Sequence, residues 1–414
     1  MKKKLSIVVY EHQMLKVGED GFTQNTFNAL KTFFGNRGVP YFSLINNGVK
    51  FCEYVGVLQI GDITIEILPK TDGLGEKDGW RKMLISMLRA VGVFNVHAPS
   101  SSNLSLKPNS ILELYIELFI REIEFLIHSG LIKRYRKKEG NAYSLKGSLD
   151  FNKHIQKNMI HQERFFVRYT SYDKEHLLHQ VLYKALKLVD RINCAVSLKS
   201  RIGNLLLDFP EVPDIKITEA VFDRLILDRK AKDYRNGVEI ARLLLLNYHP
   251  DVSRGRDHVL ALMFDMNLLW EKFVYASLKK EIQKSKIKVA IKDQVSKPFW
   301  QPHNGGSYSN LRPDIVINNG ESTCIILDTK WKNLNGRNPS VEDLRQMYVY
   351  HEYFSAKKVA LIYPGDFDTI KGEYFPTNRG EKYGCSVIGI KVQLNISEWQ
   401  KAIYDKIYET VTCF

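Results

Sequence analysis

The stretch at residues 311–330 constrains the fold of this chain more than any other, because charged side chains border its two short apolar runs. The runs flank an Asn-Gly pair at 319–320, which is typical of tight β-hairpin turns and predicts two antiparallel strands. Asp314 begins the first strand, whereas Asp328 and Lys330 end the second. Because side chains alternate along a strand, Asp328 and Lys330 share one face.

The register of this hairpin decides whether its charges form a site. A strict two-residue turn would pair Asp314 with Ile325, whose side chain points away from that of Asp328. A shared site therefore requires a connection of odd length or a β-bulge. Two carboxylates and Lys330 are then the minimum set for holding Mg²⁺ against a phosphodiester and orienting an attacking water. The alternative interpretation is turn chemistry after Pro313 and an ordinary salt bridge at a strand end.

The charge balance points to a partner rich in phosphate. The 414-residue chain has 60 Lys+Arg against 46 Asp+Glu, a net charge of +14 and an isoelectric point near 9.3. This basic excess is the electrostatic footprint of nucleic-acid binding, although a basic, solvated surface is the alternative. The length predicts two or three domains with buried cores.

Several classes of protein are disfavoured by what the sequence lacks. Its five cysteines are dispersed without a C-x-x-C pair, so neither a disulfide framework nor a zinc ribbon is expected. The first apolar run ends at Glu11 and is too short for a signal peptide, and no run is long enough to cross a membrane. We therefore expect a cytoplasmic protein without membrane contact. The glycine-rich segment 71–79 lacks the Lys-Ser/Thr ending of a phosphate-binding loop, which predicts no nucleotide site there.

The predicted fold class is α+β and multidomain. Alternating apolar runs predict a β-rich N-terminal domain at residues 1–75, and three- and four-residue apolar spacing predicts a largely helical middle region at 76–255. Residues 256–414 are expected to form an α/β domain with a mixed sheet flanked by helices.

Basic residues interleaved with aromatic ones in the middle region are candidate contacts to the DNA backbone. A solvated surface and half-buried sheet aromatics are the alternatives. The candidates lie in the runs 133–138 and 164–169: Lys133, Arg134, Arg136, Lys137, Lys138, Arg164 and Arg168.

Two further polar residues are candidates for the site of the hairpin. Residues 259–282 are predicted to form one long helix, in which Glu271 lies between Trp270 and Phe273 and could reach a metal ion. Gln346 lies on a helix capped by Ser340-Val-Glu-Asp343 and could position Lys330 or a water. The alternative for both residues is an exposed helix face.

The order Arg312-Pro-Asp314, Asp328-Thr-Lys330 and Gln346 resembles the PD-(D/E)xK nuclease superfamily. The segments 56–70, 145–150 and 264–271 are similar to those of the McrC family, the nuclease subunit of McrBC-type modification-dependent restriction systems. This likeness extends over nearly the whole chain.

The resemblance implies a division of labour. A separate McrB-like AAA+ GTPase ring would recognise methylated double-stranded DNA and bind GTP, while the N-terminal region of this chain docks in that ring and stimulates it. Asp314 and Asp328 would hold Mg²⁺, with the Thr329 carbonyl as a further ligand. Lys330 would position or deprotonate the water, and Glu271 would be an auxiliary acid. Dimerisation through the assembled complex is also expected.

The resemblance therefore implies a type IV restriction endonuclease subunit, with a role in antiviral defence, that hydrolyses phosphodiesters with Mg²⁺. The alternative is a non-cleaving adaptor that activates the motor and grips DNA.

Overall fold

The computed structural model describes residues 5–36, 38–61, 63–69, 77–91, 111–193, 195–249, 259–285, 289–303, 305–318, 320–334, 336–375 and 383–412. Its contacts divide the chain into two compact units. The first unit combines Met1–Asn95 with Asp251–Phe414, and the second is the intervening Val96–Pro250. None of the helices in these described ranges is long and apolar enough to span a membrane.

The N-terminal part of the first unit is rich in strands, as the alternating apolar runs predict. Its elements, in chain order, are β1 (Leu5–Tyr10), β2 (Met14–Lys16), α1 (Gln24–Phe34), β3 (Phe42–Ile45), β4 (Gly48–Phe51), β5 (Tyr54–Ile60), β6 (Ile63–Leu68) and α2 (Lys77–Ala90). Thr23 caps α1 by accepting a hydrogen bond from the Thr26 N–H. Strand β6 pairs parallel with β1 on one side and antiparallel with β5 on the other.

The second unit lies within the middle region that was predicted to be largely helical, and it combines helices with a small sheet. Its elements are α3 (Ile111–Ser129), β7 (Arg134–Ala142), β8 (Ser148–Leu149), α4 (Phe151–Asn158), β9 (Phe165–Asp173), α5 (Leu177–Ile192), α6 (Val196–Asp208), α7 (Glu219–Asp223), a 3₁₀ turn (Arg229–Tyr234), α8 (Arg235–Leu246) and β10 (Tyr248–His249). Helices α3, α5, α6 and α8 pack on one another, and β7, β9 and β8 form an antiparallel sheet.

The C-terminal part returns to the first unit. Its elements are β11 (Val259–Asp265), α9 (Met266–Ser285), β12 (Ile291–Asp293), β13 (Lys297–Trp300), β14 (Ser309–Leu311), β15 (Ile315–Ile317), β16 (Ile325–Thr329), α10 (Val341–Phe354), β17 (Lys358–Pro364), β18 (Ile370–Glu373), β19 (Gly384–Ile390) and α11 (Ile396–Thr412). The long helix expected at 259–282 is wrong at its start, because residues 259–265 form β11 and the helix begins at Met266.

Strand β11 joins the two ends of the chain within the first unit. It pairs antiparallel with β5, so that Met263 lies opposite Gly56. Gly56 has φ +140°, and a Cβ atom there would lie 2.1 Å from the Leu262 carbonyl oxygen. Only glycine therefore allows the two backbones to approach this closely.

This pairing makes the observed division differ from the predicted one. The predicted domains 1–75 and 256–414 fall largely in one unit, because β11 hydrogen-bonds to β5 and α2 packs on α9 and α11. The middle region is an insertion between two halves of that unit. The separate roles assigned to the three predicted domains stay predictions.

The sheet that carries the candidate site is mixed and six-stranded, in the order β12-β15-β16-β17-β19-β18. Strands β16, β17 and β19 run parallel, whereas β12, β15 and β18 join as antiparallel strands. Helix α10 connects β16 to β17, and Ser340 caps it as predicted by accepting from the Asp343 N–H. Met347, Tyr350 and Phe354 of α10 pack on the sheet, while α9 and α11 pack on each other and contact β16 and β19. The predicted α+β architecture with mixed sheets is confirmed.

Candidate active site

The hairpin at residues 311–330 has the register that a shared site requires. Strand β15 pairs with β16 so that Ile315 lies opposite Leu327 and Ile317 opposite Ile325. The next position along this register places Asp314 across from Asp328. The connection 318–324 contains an odd number of residues, as predicted for a site that holds both acids.

Two consecutive turns set this register. The Glu321 N–H donates to the Asn318 carbonyl at 3.1 Å, and the Cys324 N–H then donates to the Glu321 carbonyl at 3.1 Å. The second turn adds the residues that a simple two-residue hairpin lacks. Asn319 of the predicted Asn-Gly turn lies outside the described residues, whereas Gly320 has φ +85° and supports a turn at this position.

Asp314 is held against the end of the second strand. One of its carboxylate oxygens accepts hydrogen bonds from the Thr329 backbone N–H at 2.7 Å and from Thr329 Oγ1 at 2.8 Å. Thr329, which lies between Asp328 and Lys330, therefore fixes the orientation of the Asp314 carboxylate. The observed contribution of Thr329 is to orient Asp314, and its carbonyl as a metal ligand stays a prediction.

Asp328, Lys330 and Gln346 form a closed polar cluster. Lys330 Nζ lies 2.7 Å from Asp328 Oδ2 and donates to Gln346 Oε1 at 3.3 Å. Gln346 Nε2 donates to Asp328 Oδ1 at 3.3 Å and to the hydroxyl of buried Tyr350 at 2.8 Å. The structure therefore brings Gln346 to the Asp328–Lys330 pair, at the position from which it was expected to orient the lysine.

The electrostatics of this cluster are those of crowded, buried acids. Desolvation by burial raises the pKa of Asp314, and desolvation together with the charge of Asp314 raises the pKa of Asp328. Burial lowers the pKa of Lys330, but the charge and hydrogen bond of Asp328 outweigh it and leave the pKa above its ordinary value. Lys330 is accordingly a cation at neutral pH, which suits charge stabilisation better than proton abstraction.

Glu271 approaches the same site from α9. Burial, followed by the charges of Asp314 and Asp328, raises its pKa to about 7. Gln294 Nε2 donates to Glu271 Oε1 at 2.8 Å. The structure therefore places Glu271 near both acids of the hairpin, as the buried position between Trp270 and Phe273 suggested.

Gln294 is a site residue that sequence reasoning missed. It adopts φ +49°, an uncommon conformation for a residue other than glycine, and its amide oxygen accepts from Arg312 while its amide nitrogen holds Glu271. Its backbone N–H donates to the Asp314 carbonyl at 2.9 Å. No residue pattern near Gln294 signals these contacts, because they depend on the pairing of β12 with β15.

The donor set fits a hard divalent cation such as Mg²⁺. Within the described ranges, no group of three or more His, Cys, Asp or Glu side chains could hold a metal ion, so the fit rests on two carboxylates, and Glu271 as a further metal ligand stays a prediction. Asp314 and Asp328 offer carboxylate oxygens, and among the described residues the charge of Lys330 acts on both. A bound divalent cation would offset the repulsion by Asp314 that, after burial, raises the pKa of Asp328. Mg²⁺ is commonly held by one or two carboxylates, with water and phosphate oxygens completing its shell.

The basic candidates of the second unit are largely engaged in ion pairs. Arg134 lies near Asp228, Arg136 near Glu175, Lys138 near Asp173, Arg164 near Glu163 and Arg168 near Asp150. Lys133 and Lys137 are exposed. These acids reduce the positive field available to a phosphate backbone, and DNA contact by this surface stays a prediction.

The fold and the site define a class of protein: a two-unit α+β chain that carries paired carboxylates, a lysine and a glutamine at the end of a mixed sheet. Residues 49–364 match the family model described as "McrBC 5-methylcytosine restriction system component". The chain belongs to this McrBC family, as its resemblance to McrC sequences predicted.

Two solved structures share its fold. One is a refined half-complex from a tetradecameric assembly of Thermococcus gammatolerans McrB AAA+ hexamers with bound McrC; its matching chain is 19% identical with a TM-score of 0.72, and the match covers 98% of this chain and 100% of that chain. The other is the cryo-EM structure of the Thermococcus gammatolerans McrBC complex, 20% identical with a TM-score of 0.50 over 67% of this chain and 88% of that chain. A comparison with curated proteins found no match.

Proposed function

We propose that this chain is the Mg²⁺-dependent DNA endonuclease subunit of a GTP-driven restriction complex that acts on DNA with modified cytosine. The observation that carries the proposal is the register of β15 and β16, which gathers Asp314, Asp328 and Lys330 at one end of a mixed sheet. A salt bridge between Asp328 and Lys330 alone would need neither Asp314 nor a β15–β16 connection that aligns Asp314 with Asp328. This arrangement is the one expected of a PD-(D/E)xK nuclease.

Each residue has a definite task in phosphodiester hydrolysis. Asp314 and Asp328 would hold Mg²⁺, which when bound supplies Lewis-acid polarisation of the phosphate and lowers the pKa of a bound water. The Lys330 ammonium stabilises the negative charge that develops on the phosphate oxygens. Gln346 holds the Lys330 Nζ and an Asp328 oxygen in fixed relative positions, because its amide contacts both.

Glu271 is suited to accept the proton of the attacking water. A general base works best when its pKa lies near the working pH, and that of Glu271 is raised to about 7. Gln294 donates to one carboxylate oxygen of Glu271 and so orients the other. Attack of the water oxygen forms a new P–O bond as the ester P–O bond to the leaving oxygen breaks; Glu271 takes one proton of the attacking water, and a solvent water protonates the leaving alkoxide.

The partner assignment follows from the family and the shared fold. We infer that an McrB-like AAA+ ring binds GTP and recognises methylated duplex DNA, while this chain docks in the ring, stimulates it and cuts. The solved relatives contain McrB AAA+ hexamers with bound McrC, and the net charge of +14 suits a DNA partner. Dimerisation through the complex is part of the same proposal.

The deciding experiment combines the chain with an McrB-like AAA+ GTPase, methylated duplex DNA, GTP and Mg²⁺. Cleavage and GTP hydrolysis are measured for wild type, Asp328→Ala and Lys330→Ala. We expect both variants to lose cleavage and to retain stimulation of GTP hydrolysis. Stimulation without cleavage by wild type would instead support the non-cleaving adaptor, and the absence of both activities would refute either function.

A further inference from the structure

A two-stranded ribbon leaves the six-stranded sheet beside the candidate active site. Strands β12 and β15 pair up to Asp293 and Ile315, and the chain between them forms the β13–β14 ribbon. The Gln294 N–H donates to the Asp314 carbonyl at 2.9 Å, which closes the base of the ribbon. The ribbon therefore starts and ends next to a carboxylate of the site.

The ribbon presents large aromatic side chains to solvent. All residues of β13 are exposed, and Phe299, Trp300 and Tyr308 are 44%, 60% and 53% exposed. Phe299 packs edge-on against Tyr353 of α10 with ring centroids 5.0 Å apart, and this contact anchors one side of the ribbon. Three exposed aromatic side chains on so short an element are characteristic of a surface that binds a partner.

The charge of the ribbon identifies the chemistry of that partner. Residues 294–313 contain no Asp or Glu but include Lys297, His303 and Arg312. Arg312 is exposed at the base of the ribbon, where Gln294 accepts a hydrogen bond from it. Aromatic side chains in a basic segment without acids suit a polyanion that also offers apolar surface, and duplex DNA offers both in its phosphates and in the base edges and thymine methyl groups of the major groove.

We propose that the ribbon, residues 295–303 and 305–312, binds duplex DNA beside the bond that is cut, with Trp300 and Tyr308 in contact with a groove. This inference rests on the proposed function for the location of the DNA. Trp300 pairs with Ser309, which lies five residues before Asp314. An extended strand spans roughly 3.3 Å per residue, so Ser309 lies within about 16 Å of Asp314, and Trp300 is about one strand spacing of roughly 5 Å to the side. A distance of about 16 Å corresponds to about five base pairs, and a β-ribbon fits the major groove, which is about 12 Å wide.

Tryptophan fluorescence tests the inference directly. The chain has five tryptophans, and Trp80, Trp270, Trp331 and Trp399 are buried whereas Trp300 is exposed. Acrylamide quenching of the full-length Asp328→Asn chain therefore reports chiefly on Trp300, and this background is chosen to keep the DNA intact. We expect a 30-base-pair duplex (about this length spans the site and both flanks) to remove most of the quenchable signal.

Variants provide an independent readout by fluorescence anisotropy of labelled duplex. Trp300→Ala and Tyr308→Ala should each weaken binding by about tenfold. Phe375→Ala is the matched control, because Phe375 is 95% exposed and follows β18 at the opposite edge of the same sheet; it should leave binding unchanged.

The outcomes separate this inference from the proposed function. The role of the ribbon would be overturned if the wild type binds DNA, DNA leaves the acrylamide quenching of Trp300 unchanged, and both ribbon variants bind DNA as tightly as wild type. The proposed nuclease activity would be unaffected by that result. If a higher protein concentration without DNA protects Trp300 from acrylamide, the ribbon is a contact between copies of the chain, and its assignment to DNA is overturned. If the reconstituted complex fails to cut but Trp300 is protected by DNA, the proposed nuclease activity fails and the ribbon assignment stands.

Discussion

Replacing Glu271 by glutamine should stabilise the metal-free protein at alkaline pH. Burial beside Asp314 raises the pKa of Glu271 from 4.5 to about 7, so the folded chain holds this proton more tightly than the unfolded chain. The stability therefore falls as the pH rises from about 4.5 to about 7, and the full cost of the buried charge is present above pH 7. Glutamine removes the charge but keeps an oxygen that can accept from Gln294.

The magnitude follows from the size of the shift. Each tenfold change in a proton affinity corresponds to about 1.4 kcal/mol, which sets a ceiling of about 3 kcal/mol for the change in Glu271. Solvent reaches part of the site, and screening reduces the expected gain to about 1–2 kcal/mol. At pH 5 Glu271 is itself protonated in the folded chain, because its pKa is raised to about 7, and the gain from glutamine therefore shrinks toward zero.

The assay is thermal or denaturant unfolding of wild type and Glu271→Gln in EDTA at pH 5 and pH 8. Glu342→Gln is the control, since the Glu342 side chain is 83% exposed on α10, and it should change stability little at either pH. Addition of Mg²⁺ at pH 8 should then stabilise wild type more than Glu271→Gln. A stability difference that is equal at both pH values, or a variant less stable than wild type at pH 8, would refute this account of the site.

Two further predictions concern the backbone and the chemistry. Gly56→Ala should destabilise the first unit by about 3 kcal/mol or more, because a Cβ atom would meet the Leu262 carbonyl at 2.1 Å; Gly130→Ala, where φ is +88° and the space is open, should cost only about 1 kcal/mol in denaturant unfolding. Equal losses would show that β5 and β11 are not this close. Lys330→Gln should lower kcat for DNA cleavage by about 10²–10³ with little change in KM, whereas Lys292→Gln on the exposed edge strand should leave both values unchanged. A rise in KM alone would make Lys330 a binding residue.

The candidate site was accessible from the sequence because its main residues lie close together along the chain. Asp314, Asp328 and Lys330 belong to one hairpin, and the alternation of side chains alone defined the register that the two acids needed. Gln346 was accessible because its helix follows directly and carries a recognisable cap at Ser340. These inferences required only local geometry.

Long-range pairing explains what the sequence did not reveal. Residues 259–264 are a continuous apolar run, which suits a buried strand as well as a helix, and only the distant partner β5 decides for the strand. The same pairing turns the middle region into an insertion, a topology that no composition shift announces. Gln294 reaches Glu271 and Arg312 through a left-handed backbone, for which a glutamine provides no signal.

The most direct test of the central claim is the Mg²⁺ dependence of DNA cleavage by the reconstituted complex carrying wild type or Asp314→Asn. Asp314 is hydrogen-bonded by Thr329 rather than by the lysine, so its replacement removes a proposed Mg²⁺ ligand while the Asp328–Lys330 contact remains. Wild type should cut methylated duplex only with Mg²⁺, and Asp314→Asn should cut at least about 10²-fold more slowly at the same concentration. Equal cleavage by Asp314→Asn, or cleavage by wild type in EDTA, would contradict a nuclease site built on these two carboxylates.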